Sequence, residues 1–118
     1  WHSATEGTAM ALKPLRVGVI GAGVAGLQMA RALRARGIDC KVFDKAPAVG
    51  GLWRENYHGY GVQVPKQLYE FPDYPNSLCE WGEFPTGEKT QAYIQSYAKA
   101  FDLNSSVVLN TTVDKLSR

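Results

Sequence analysis

Histidine and cysteine are scarce in this chain, with two of each among 118 residues. His2, His58, Cys40 and Cys79 show no metal-ligand spacing, and His58 has no partner for a nucleophilic triad. His58 therefore reads as a surface residue and no metal is expected. Two cysteines make no disulfide framework. Cys40 opens a strand expected to be buried, so it reads as a core thiol and a reducing compartment is expected. Excess charge is also small: a net +2 gives no field for nucleic acid or an anionic membrane. No apolar run approaches the ~18 residues of a membrane-spanning helix. The N-terminus lacks a basic region followed by an apolar core, so no secretory leader is read. Repeats and low-complexity tracts are absent. These absences point to a cytoplasmic protein with no nucleic-acid partner and no membrane association indicated. Membrane attachment through a further C-terminal part is left open.

What is present begins at Val17. The run Val17-Gly18-Val19-Ile20-Gly21-Ala22-Gly23-Val24-Ala25-Gly26 places Gly-x-Gly-x-x-Gly directly after a strand-like segment. A second strand-like segment, Cys40-Lys41-Val42-Phe43-Asp44, ends on an acid. This is the pattern of a dinucleotide-binding βαβ unit. Gly21 allows a tight turn, Gly23 lets a pyrophosphate approach the backbone, and Gly26 lets the helix pack on the strand. A helix starting near Val24 aims its free N–H groups and positive dipole end at the phosphates. Asp44 lies 18 residues past Gly26, near the spacing of roughly 20 for the acid that binds a ribose diol. A carboxylate there accepts the hydroxyl hydrogens and repels a 2′-phosphate, so FAD or NAD is expected rather than NADP.

The expected elements follow. Leu15–Ile20 is a strand, apolar on both faces like a central parallel strand. Val24–Arg36 is a helix with Leu27, Ala30 and Leu33 inward; Arg31, Arg34 and Arg36 are solvated or favour its C-terminal dipole. Gly37 stops it, and Cys40–Asp44 is the second strand. From Lys45 to Lys89 the chain is rich in Gly, Pro and aromatics without helical period. A structureless loop of that length is expected only where it serves a function, and its aromatics need something to pack on. Thr90 reads as an N-cap for a helix over Gln91–Phe101. Val107–Leu109 reads as a short strand, and Thr111–Leu116 as the start of another.

Residues 1–14 are read as a disordered extension or artefact: Trp1 to Ala9 are polar and small without period, and Met10 reads as a natural start. Residues 15–118 are read as the N-terminal part of an FAD-binding domain. Two clear strands and one or two short ones cannot cover a long aromatic loop, so a larger parent protein is expected. The expected fold class is α/β: a Rossmann-like FAD/NAD(P)-binding βαβ unit within an incomplete doubly wound parallel sheet. Made alone, such a piece leaves edges and apolar faces open and is expected to aggregate.

The segment from Arg16 to Ser117 resembles the N-terminal FAD-binding part of flavin-containing monooxygenases. The resemblance rests on Gly-Ala-Gly-Val-Ala-Gly at 21–26, Val42-Phe43-Asp44-Lys45, and Val49-Gly50-Gly51-Leu52-Trp53. It continues through Gln63-Val64-Pro65-Lys66 and Tyr69-Glu70-Phe71-Pro72-Asp73-Tyr74-Pro75, which resemble the stretch beside the flavin ring. The helix holding Tyr93-Ile94-Gln95-Ser96-Tyr97-Ala98 and the strand Asn110-Thr111-Thr112-Val113 extend it. The family more often has Glu at position 44 and Asn at position 63.

The resemblance implies FAD reduced by NADPH, reaction with oxygen to a C4a-hydroperoxide, and transfer of one oxygen to a soft nitrogen or sulfur nucleophile of a small molecule. By position, it implies that Gly21, Ala22, Gly23, Val24, Ala25 and Gly26 hold the pyrophosphate, while Asp44 and Lys45 sit at the adenosine ribose. Gly51, Leu52 and Trp53 would line the cleft. Val62 and Gln63 would lie beside the isoalloxazine, Gln63 supplying a catalytic amide. Lys66 reads as a solvated loop charge. A second Gly-x-Gly-x-x-Gly for NADPH and the family's Phe-x-Gly-x-x-x-His motif are not in this sequence, so the NADPH site is expected mostly outside it. This segment alone is not expected to turn over. Baeyer–Villiger oxygenation, a non-catalytic dinucleotide-binding module and an NAD-dependent dehydrogenase remain alternatives; the Gly50–Trp53 element argues against the last.

Overall fold

The structure, a computed structural model, describes residues 15–54, 59, 61, 70–75 and 85–118. Three parallel strands, β1 (Arg16–Ile20), β2 (Asp39–Phe43) and β3 (Val107–Val108), lie in the order β1-β2-β3. Val17 pairs with Cys40 and Val19 with Val42; Val42 pairs in turn with Val107. Helices α1 (Val24–Ala35) and α2 (Gly87–Ala100) fill the two crossovers. A parallel pair needs such a crossover, which is the α/β arrangement the sequence predicts.

The first strand of the sheet is β1. This strand pairs only with β2 among the described residues, and its residues alternate between half-buried and exposed. Val17 and Val19 face the core while Ile20 is 62% exposed. Among the described residues, β1 is covered on the Val17 and Val19 side. The second strand runs one residue earlier than expected, so Asp44 stands just beyond its end. Its amide still donates to Val108 O at 3.0 Å, which continues the ladder onto Asp44.

The start of α2 is also a correction. Thr86, not Thr90, caps it: the Thr86 hydroxyl accepts from Lys89 N at 3.3 Å. Thr90 lies in the first turn, 3% exposed, with its hydroxyl donating to Thr86 O at 2.9 Å. Gly87, a poor helix former, hides this start in the sequence. Leu109 lies outside β3, and Thr111–Leu116 forms no strand among the described residues.

The core joins both helices to the sheet. Leu27 and Ala30 from α1, and Tyr93, Ile94, Tyr97 and Ala98 from α2, meet Cys40 and Val42. Burial pushes the Cys40 thiol up from its ordinary value, which fits the core thiol read from sequence. The aromatic stretch does pack on something. Phe71 stacks on Tyr97 with ring centroids 3.7 Å apart, and Tyr74 packs edge-on against Tyr97 and Phe101. The Tyr93 hydroxyl accepts from Phe71 N at 3.1 Å and donates to Tyr74 O. Tyr57, Tyr60, Tyr69, Trp81 and Phe84 lie outside the described residues.

Two arginines of α1 are not merely solvated. Arg31 pairs with Asp73 at 3.1 Å and lies over the Phe101 ring at 4.2 Å. Arg34 donates to Asp102 O and to the Ser105 hydroxyl, the latter at 2.9 Å. Both tie α1 to segments far along the chain. Gly37, at φ +71°, ends the helix as expected.

Candidate dinucleotide site

The glycine-rich turn leaves β1 through Gly21, whose φ of +104° suits a residue without a side chain. Gly21 N donates to Phe43 O at 2.8 Å, so the turn is fastened to the end of β2. A Cβ on Gly26 would stand 1.8 Å from Gly21 O and 3.4 Å from Val19 Cγ1. Gly26 therefore serves the turn even more than the helix–strand contact.

Ala22 is fully buried and held from two sides. Its N–H donates to Asp44 Oδ2 at 2.7 Å, and its carbonyl accepts from Gly50 N at 2.9 Å. The other Asp44 oxygen accepts from Ala46 N at 2.8 Å. Asp44 thus braces the turn, a role that sequence spacing did not reveal. A carboxylate offers about four acceptor positions, so these two bonds leave capacity for ribose hydroxyls.

Gly23 is the N-cap of α1, without a side-chain cap, and the first turn holds no acid. Its free N–H groups and dipole favour an anion. Gly51 lies against Gly23, and a Cβ on Gly51 would come 3.0 Å from Gly23 Cα. The two bare backbones form a cradle that side chains would fill. Ile20, Val24 and Leu52 expose apolar surface, Leu52 at 73%.

A cleft of about 350 Å³ opens at the carboxyl ends of the strands. Ile20, Gly21, Phe43, Asp44 and Lys45 line one side, Thr111, Thr112 and Val113 the other. Thr111 N donates to Asp44 O at 2.8 Å, fixing the far wall. In open parallel sheets ligands bind at this end of the strands. Thr111–Val113 were not among the expected site residues; their match to the family's strand was the signal that pointed there. Trp53 lines a second pocket of about 360 Å³ with Val24, Phe71, Thr90 and Tyr93. Val62, Gln63 and Lys66 lie outside the described residues.

Residues 19–79 match the family profile of the NAD(P)-binding Rossmann-like domain. The chain belongs to this family. Its relatives are flavin monooxygenases. A Baeyer-Villiger monooxygenase of Streptomyces coelicolor is 39% identical over 106 residues, covering 87% of this chain and 20% of that protein. The FAD-binding monooxygenase tazF of Aspergillus terreus is 36% identical over 109 residues, covering 87% of this chain and 19% of that protein. The solved S-allyl-L-cysteine S-oxygenase of Allium sativum superposes with a TM-score of 0.75 at 25% identity, over 80% of this chain and 27% of that one. The chain spans about a fifth of the length of the curated relatives it matches. Among the described residues no helix is long and apolar enough to cross a membrane. None of the described His, Cys, Asp or Glu residues form a group of three able to hold a metal ion.

Proposed function

We propose that residues 15–118 form the ADP-binding part of the FAD site in an NADPH-dependent flavin monooxygenase. The observation that carries this is the clasp on Ala22, held between Asp44 and Gly50. It sets the bare Gly23–Gly51 backbone and the α1 N-terminus where a pyrophosphate fits. Asp44, at the mouth of the strand-end cleft, is placed to take the adenosine ribose. Lys45 and Thr111–Val113 wall that cleft, and Val24 and Leu52 cover the phosphates with apolar surface. Trp53 anchors the Gly51–Trp53 turn against α2 and so holds Gly51 in place.

Bound FAD would supply the redox chemistry, with two electrons from NADPH, one oxygen atom of O2 going to a small-molecule substrate and the other leaving as water. This chain's residues bind the cofactor, orient it and exclude water from its phosphates. The resemblance at Gln63-Val64-Pro65-Lys66 supports Val62 and Gln63 as residues that act at the flavin, Gln63 through its amide. The substrate reading is a soft nitrogen or sulfur nucleophile. The Streptomyces coelicolor relative favours a second reading, oxygen insertion beside a ketone.

The test is an NADPH- and O2-dependent product assay on the intact gene product, with a tertiary amine, a thioether and a cyclic ketone. N-oxide or sulfoxide supports the first reading; ester or lactone supports the second. FAD binding without NADPH oxidation for any of them would leave a non-catalytic module and overturn both.

A further inference from the structure

The peptide unit joining Val49 to Gly50 is pinned at both polar atoms. Gly50 N donates to Ala22 O at 2.9 Å. Val49 O accepts from Gln91 Nε2 at 2.6 Å, across 42 residues of sequence. That peptide sets the orientation of Gly50, at φ +128°, and of Gly51, at φ +59°. Gly51 in turn meets Gly23 in the phosphate cradle.

Gln91 sits in the second turn of α2, where the sequence gives it no evident task. Its amide occupies the volume a side chain at 50 would need: a Cβ there would lie 1.9 Å from Gln91 Oε1 and 2.5 Å from its Nε2. Gln91 Oε1 is itself buried and has no hydrogen-bond partner among the described residues. A buried acceptor left unmade is costly, and an apolar side chain of the same length would fill the space without that cost. What the amide adds over an apolar side chain is the bond to Val49 O.

We infer that Gln91 is a positioning residue for the phosphate cradle, holding the Val49–Gly50 peptide so that Gly51 stays against Gly23. This inference rests on the FAD-site reading for its consequence, though not for its geometry. Gln91 touches no ligand in this account; it acts through the loop.

Two variants separate positioning from packing. Gln91→Met keeps the length and loses the donor. Gln91→Glu keeps the shape and sets an acceptor against the Val49 carbonyl. The first readout is amide hydrogen exchange of the intact gene product without cofactor. Gly50 and Gly51 should exchange at least about tenfold faster in both variants, the size of losing a charge-free hydrogen bond, while Leu27 and Ala30 stay unchanged. The second readout is FAD titration, where the dissociation constant should rise about tenfold at a melting temperature near that of the unsubstituted protein. Exchange and FAD affinity within about twofold of the unsubstituted protein would overturn the inference. So would a fall in melting temperature with all core amides speeding up together, since that marks packing alone. Should the unsubstituted protein take up no FAD, the functional reading falls, and the Gly50 exchange still decides the role of Gln91.

Discussion

Asp44 carries two tasks at once: one oxygen holds the Ala22 amide at 2.7 Å and the other the Ala46 amide at 2.8 Å. Charge-assisted bonds of this kind are each worth about 1.5–3 kcal/mol. Asp44→Ala should therefore weaken FAD binding about ten- to a hundredfold, measured by flavin fluorescence titration. An affinity left unchanged would remove Asp44 from the site. Tyr97 offers a second test at this scale. Burial first, and the Asp73 carboxylate beside it second, push its hydroxyl up to about 12. A phenol kept neutral in the fold adds stability that is whole below about pH 10 and is lost as pH rises toward 12. Stability measured by denaturant should fall across that window, and Tyr97→Phe should flatten the fall. The acid at 44 was legible because strand, glycines and spacing converge on it. Its grip on Ala22 was not, because the contact spans 22 residues and depends on how the turn folds back.

The two helices differ in how plainly the sequence shows them. α1 follows the glycine signature and shows its apolar face at Leu27 and Ala30, so its start was legible from Gly23 onward. α2 begins at Gly87 behind Pro85 and Thr86, a start that propensity argues against, and its cap was displaced by one turn. The Phe71–Tyr74 turn had no period to reveal it. Its aromatics had to pack, but their partner, the Tyr93/Tyr97/Phe101 face of α2, follows only from the fold. Tyr93 holds that turn through both its donor and its acceptor. Tyr93→Phe should leave Phe71 N–H and Tyr74 C=O unpaired and lower stability by about 2 kcal/mol, read as a shift in the denaturant midpoint with its slope unchanged. A shift near zero would mean that ring stacking alone holds the turn.

Across the whole chain, the parallel order β1-β2-β3 brings the glycine turn, Asp44 and Thr111–Val113 to one end of the sheet. Exposed apolar residues such as Ile20, 62% exposed, are the features expected to drive aggregation when residues 15–118 are made alone. The fold class was legible because one local pattern predicts it. The exact ends of the strands were not, since a run of apolar residues does not mark where pairing starts and stops.

Flavin binding is the central property proposed for this chain. The absorbance spectrum of the purified intact gene product, with and without added FAD, is the measurement that tests it. Stoichiometric flavin absorbance that remains through gel filtration is the expected result. A protein that takes up no flavin and binds NAD instead would contradict it.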